Sequence, residues 1–324
     1  MTNAETGKAP FGSRVPPAIF PPILGLFALA NGWRVAVGGA GQTPWLGQIV
    51  ATIAGLMLVV GLAAYGRKLL RRPSVVLEDL TVLPGRAGIA AMILSSYLLA
   101  GVLVPIMPEA AHIVLWVGVG AHVMLVVAMI VILFSSAPEA RRVTPIFHLH
   151  FVGFIVTPQA AVPLGYVGFS TVVFWVSLVL AVLIWLASAY QARTDSFPGP
   201  QRPLLAIHLA PLALLGSVAL LLGYETIALA AGLLLIAALA LLFVRGRSML
   251  EAGFTPMWGA LTFPLASAAT LLMMLGYAEG SWAFSIAGLI TLILVSVLNP
   301  YIAMRVWQAW GNGKLAQQTG AARA

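Results

Sequence analysis

The chain has 324 residues, of which 61% are hydrophobic and only 8% charged, with a mean hydropathy of +1.01. Soluble domains devote roughly a quarter of their residues to charge, so this composition excludes a water-facing enzyme, a nucleic-acid-binding domain and a disordered chain, and it indicates an all-α polytopic membrane protein. The net charge of +8 then reads as basic residues gathered in cytoplasmic loops, while the absence of cysteine removes disulfide, thiolate and iron–sulfur chemistry.

Residues 1–15 are polar, lack an apolar signal core and read as a cytoplasmic tail. Ten apolar stretches of spanning length follow, at Pro17–Val37, Leu46–Tyr65, Leu83–Ile106, Ala111–Ser135, Ile146–Val167, Phe169–Tyr190, Leu204–Gly223, Thr226–Val244, Phe254–Tyr277 and Trp282–Met304. They define a membrane domain over residues 16–308, with 309–324 as a cytoplasmic C-terminal tail. The links are short, so consecutive helices are antiparallel neighbours and form five hairpins. With both termini in the cytoplasm, Arg34 is the one basic residue of 17 on the outer side, and the cluster Arg67, Lys68, Arg71 and Arg72 lies on the inner side. The outer links carry Glu109, Glu225 and Glu279 instead. That split supports the helix count.

Prolines separate odd from even stretches. Pro21 and Pro22 lie in the first, Pro158 and Pro163 in the fifth, Pro211 in the seventh and Pro264 in the ninth, whereas the second, fourth, sixth and eighth have none in their interiors. An interior proline frees a carbonyl, which in a bilayer must face protein or a wet cavity rather than lipid. The odd helices are therefore expected to form an inner ring around a central pore, with the even helices toward lipid.

Asp and Glu are absent from every stretch interior. Coupled transporters carry such groups to bind their ion, and cation channels use acidic rings or carbonyl filters. A neutral pore with a basic inner rim suits anions instead. Ser95, Ser96, Thr157, Ser217, Thr262 and Ser267 are small polar groups available to line it, although small residues also let helices approach closely. His148 and His150 sit two apart at the start of the fifth stretch and diverge on a helix, while His112, His122 and His208 are isolated in sequence, so no metal or cofactor is expected. His208 is the candidate pore-mouth or pH-sensing group. Arg34, in Asn31-Gly32-Trp33-Arg34, either draws anions to the outer mouth or snorkels beside Trp33.

The ninth stretch reads Phe254-Thr-Pro-Met-Trp258-Gly-Ala-Leu-Thr262-Phe263-Pro264-Leu-Ala-Ser267, an aromatic start followed by Thr-Phe-Pro and a run of small residues. It resembles the corresponding helix of the tellurite-resistance/dicarboxylate transporter family, which includes the plant guard-cell slow anion channels. Val15-Pro-Pro-Ala-Ile-Phe20 leading into Gly25 and Trp33-Arg34, Thr144-Pro145, and Arg202-Pro to His208-Leu-Ala-Pro211 are similar to other parts of that family. The resemblance implies five helical hairpins with quasi-fivefold symmetry, a homotrimer with one pore per protomer, and a phenylalanine plug, which by motif position is Phe263. Pro21, Gly25, Thr157, Pro158, Pro211, Ser217, Thr262, Pro264 and Ser267 are the candidate pore-lining residues.

The leading reading is an anion channel or facilitator in the bacterial inner membrane, passing small inorganic or dicarboxylate anions. A proton-coupled carrier of oxyanions such as tellurite and sulfite, or of C4-dicarboxylates, is the alternative, with His208 titrating. A membrane haem or copper protein using the histidines is a third. The expected partners are small anions and the lipid bilayer, not nucleic acid.

Overall fold

A computed structural model describes residues 14–137, 141–194 and 196–323. The expected tail falls largely on residues 1–13, outside the described residues. The elements are helical throughout the described residues. The α-helices are α1 (Phe20–Gly39), α2 (Trp45–Arg71), α3 (Val75–Asp79), α4 (Leu83–Leu103), α5 (Pro108–Ser135), α6 (Pro158–Ala161), α7 (Val167–Gln191), α8 (Leu209–Leu221), α9 (Glu225–Leu250), α10 (Gly259–Ala278), α11 (Trp282–Gly311) and α12 (Lys314–Gln318).

Nine continuous spans among the described residues are long and apolar enough to cross a bilayer. The fifth stretch is the exception. It is built from a π-helical turn at His148–Val152, a 3₁₀ turn at Gly153–Val156 and the short α6, and it passes through a turn containing Gly165 at φ +88° before α7. Pro158 and Pro163 deny it two backbone donors. Such backbone is tolerated at membrane depth only inside protein, and Val156, Thr157, Ala160 and Ala161 are fully buried.

The prolines of the odd spans act differently from the bends expected of them. Pro21 and Pro22 lie in the first turn of α1 and Pro211 in that of α8, where a missing N–H costs no helical hydrogen bond. Ahead of three of the odd α-helices comes a 3₁₀ segment, at Pro17–Ile19, Gly199–His208 and Pro256–Trp258. Pro264 alone stands inside an odd-span α-helix, and Pro300 lies inside the tenth span, α11.

Burial separates the two sets. Between 67% and 83% of the apolar window is buried in the first, third, seventh and ninth spans, against 22% to 33% in the even ones. Apolar side chains such as Leu56, Phe134, Phe243 and Leu294 stand exposed on the even helices, a surface that only hydrocarbon covers without cost. The odd spans touch in cyclic order, α1 with α4, α4 with the fifth stretch, that stretch with α8, α8 with α10, and α10 with α1. Each even helix packs on its own odd partner and on the next odd span.

Lys68, one of the basic cluster named above, is fully buried at the end of α2. Its Nζ donates to Asp79 Oδ2 at 2.7 Å and to the Val15 carbonyl at 3.0 Å, and the Tyr65 hydroxyl donates to the same carboxylate oxygen at 3.0 Å. The Ala322 N–H donates to Asp79 Oδ1 at 2.9 Å. The segment expected to be a tail from residue 309 is thus folded. Helix α11 runs on to Gly311, and α12 turns back with Leu315 and Ala316 buried.

Candidate functional site

Helix α10 carries Thr262-Phe263-Pro264 in its second turn. The Thr262 hydroxyl donates to the Gly259 carbonyl at 2.7 Å and lies 3.1 Å from the Pro21 carbonyl. Gly25 of α1 faces it so closely that an added Cβ would fall 2.3 Å from Thr262 Cβ. Across the same seam, Asn299 Nδ2 donates to the Gly25 carbonyl at 3.0 Å and to the Thr262 carbonyl at 3.2 Å. These contacts fix the backbone on which Phe263 stands. Gly25→Ala is therefore expected to force α1 and α10 apart and to cost about 1–3 kcal/mol, measured as earlier unfolding of the purified protein in detergent.

Phe263 is 3% exposed and lines three cavities. The largest, about 30 Å³, lies at the N-terminal ends of the odd spans and receives one residue or more from each, including Pro21, Ala87, Leu149, Ile207 and Ala260, with Pro264 beside Phe263. A second, about 10 Å³, lies toward the other ends and is again lined from all five odd spans, by Asn31, Leu98, Gln159, Ser217 and Ser267 among others. Phe263 is the one residue these two share. A third of about 10 Å³ opens beside the ring between His148, Pro211 and Leu214. A water needs about 10–15 Å³, so the two cavities of about 10 Å³ hold about one water each.

The sequence-derived candidates divide accordingly. Pro21, Pro211, Ser217, Pro264 and Ser267 line these cavities. Gly25, Thr157, Pro158 and Thr262 line none of the three and lie in the packing around them; the Thr157 hydroxyl donates to its own Phe154 carbonyl at 2.8 Å. Ser95 and Ser96 likewise donate to carbonyls of their own helix. Arg34 lies over Gly47 of α2, away from the cavities.

The histidines proved less isolated than their spacing suggested. His148 Nε2 lies 3.0 Å from His208 Nδ1, joining the fifth stretch to the seventh, and the His148 ring lines the third cavity. His150 diverges, with Nε2 3.3 Å from the Arg86 carbonyl. His122 bridges the Tyr97 hydroxyl and the His150 carbonyl at 3.1 and 2.9 Å, and His112 meets the Tyr166 hydroxyl at 3.1 Å. Among the described residues no three His, Asp or Glu side chains come together as a metal site would require.

The amides Gln159, Asn31 and Asn299 were not among the sequence-derived candidates. Each is an uncharged amide deep in an apolar stretch, where an unpaired polar group is expensive. That cost is the signal that could have found them.

An all-α bundle that is apolar outside and holds cavities between its buried odd spans is a polytopic membrane protein. Its family is given by the sequence: residues 14–307 match the voltage-dependent anion channel family, and the chain belongs to it. Members of that family are anion channels and transporters, so this is a multi-pass protein of anion transport. No curated protein matches the chain in sequence.

Proposed function

We propose that the chain is a channel passing small inorganic or dicarboxylate anions down their gradient, with the Phe263 ring as its gate. The observation that carries this reading is the single residue shared by two cavities that are each lined from all five odd spans. Pro21, Pro211, Ser217, Pro264 and Ser267 line the path, and the largest cavity has an almost wholly apolar wall. An anion stripped of water there loses several kcal/mol, enough to hold the path shut. Arg34 raises anion concentration at the outer mouth, and His208, through His148, stands beside the gate. In this reading both termini face the cytoplasm of a bacterial inner membrane, and three copies assemble with one pore each.

The test is an anion-flux panel on the Phe263→Ala protein in liposomes beside the unaltered one. Flux through the alanine variant is expected to follow each anion's own gradient, with or without a pH gradient. Flux that requires a pH gradient and disappears in His208→Ala would instead establish the proton-coupled carrier.

A further inference from the structure

Across the second cavity, Asn31 Nδ2 of α1 donates to Gln159 Oε1 of α6 at 3.4 Å, a long bond between the first and fifth spans. This bond occupies the Gln159 carbonyl oxygen. Both hydrogens on Gln159 Nε2, the second hydrogen on Asn31 Nδ2 and the Ser267 hydroxyl have no partner among the described residues. The other hydroxyls of the cavity offer no hydrogen. Ser217 donates to the Ala213 carbonyl at 2.8 Å and Thr270 to the Ala266 carbonyl at 3.0 Å, each within its own helix. No formal charge lines this cavity.

We propose that the Asn31–Gln159 amide pair is the anion-recognition site of the path, on the far side of Phe263 from the larger cavity. An anion reaching it exchanges part of its hydration for three amide N–H donors and the Ser267 hydroxyl. Neutral donors recover some of the hydration energy without the deep well that a buried Lys or Arg would create, so the ion also leaves. The ligand class is a small monovalent anion with unhindered acceptors, a halide or a planar oxyanion such as nitrate. The 3.4 Å bond is weak enough to yield as the ion passes. Gln159 follows Pro158 at the start of α6, and this short rigid segment holds the amide against the cavity.

The inference rests on the proposed anion path, and the experiment separates the two. Currents are recorded in symmetric and gradient chloride and nitrate from Phe263→Ala, from Phe263→Ala with Gln159→Glu, and from Phe263→Ala with Asn31→Asp. Surface expression and monodispersity are measured for each. Gln159→Glu keeps the side-chain shape but replaces donors with a carboxylate, so anion conductance is expected to fall at least about tenfold, with the reversal potential moving toward that of cations. Asn31→Asp is expected to act in the same direction. A Phe263→Ala protein that conducts, with both carboxylate variants folded and retaining its conductance and selectivity, overturns the recognition site and leaves the path standing. Absence of current in folded Phe263→Ala overturns the path and the site together.

Discussion

Phe263→Ala is expected to raise anion flux about 10²- to 10³-fold over the unaltered protein. Phe263 is the one residue common to the two cavities lined from all five odd spans. Removing it joins spaces of about 30 and 10 Å³ and lets water accompany the ion. If relief of dehydration is worth about 3–4 kcal/mol, each 1.36 kcal/mol contributes about a factor of ten. The backbone at this point does not depend on the ring. It is held by the Thr262 hydroxyl, by Gly25 and by Asn299, so the substitution leaves the helices where they are. Phe263→Leu, which keeps an apolar branched group in the gap, is expected to fall between the two. Radiolabelled chloride efflux from liposomes at matched protein content reads the series. Equal flux from all three folded proteins would remove Phe263 as the gate.

Asp79→Leu is expected to cost about 3–5 kcal/mol, because it leaves the Lys68 ammonium buried and uncompensated. The carboxylate takes Lys68 and Tyr65 on one oxygen and the Ala322 N–H on the other, so the loss reaches the end of α2, the approach to α1 at Val15 and the C-terminal segment at once. Lys68→Met combined with Asp79→Leu removes both charges and fills similar volume. The pair should recover most of the stability, since replacing both partners of a buried ion pair is commonly near neutral. Thermal unfolding in detergent compares the three proteins. A single variant as stable as the parent would show that water reaches this site and solvates the charge.

The division between buried odd and exposed even spans was legible from the prolines, because the bilayer penalises free carbonyls wherever they fall. The ninth span was equally legible, since Thr262-Phe263-Pro264 is a local signal. Whether a proline bends a helix or begins one was not legible: Pro21 and Pro211 lie only a few residues from the ends of their α-helices, closer than hydropathy resolves. The break in the fifth stretch escaped for a similar reason, because an apolar window averages over π, 3₁₀ and α turns alike. Partners distant in sequence were beyond reach altogether. Nothing local joins Asn31 to Gln159, His148 to His208 or Asp79 to Ala322. Lys68 reads as one more inner-loop charge until the fold places a carboxylate against it.

The natural absence of cysteine makes a direct measurement available. Single cysteines are placed at Ala260, in the larger cavity, and at Ser267, in the smaller one, each with Phe263 retained or replaced by alanine. A small membrane-impermeant anionic thiol reagent is then applied to one face of an excised patch and modification is read by mass. With Phe263 present, neither cysteine should react with reagent applied on the opposite side of the ring. With alanine at 263, both should react from either face. Modification across an intact Phe263, or none across the alanine variant while current flows, would mean that the anion path does not run past this side chain.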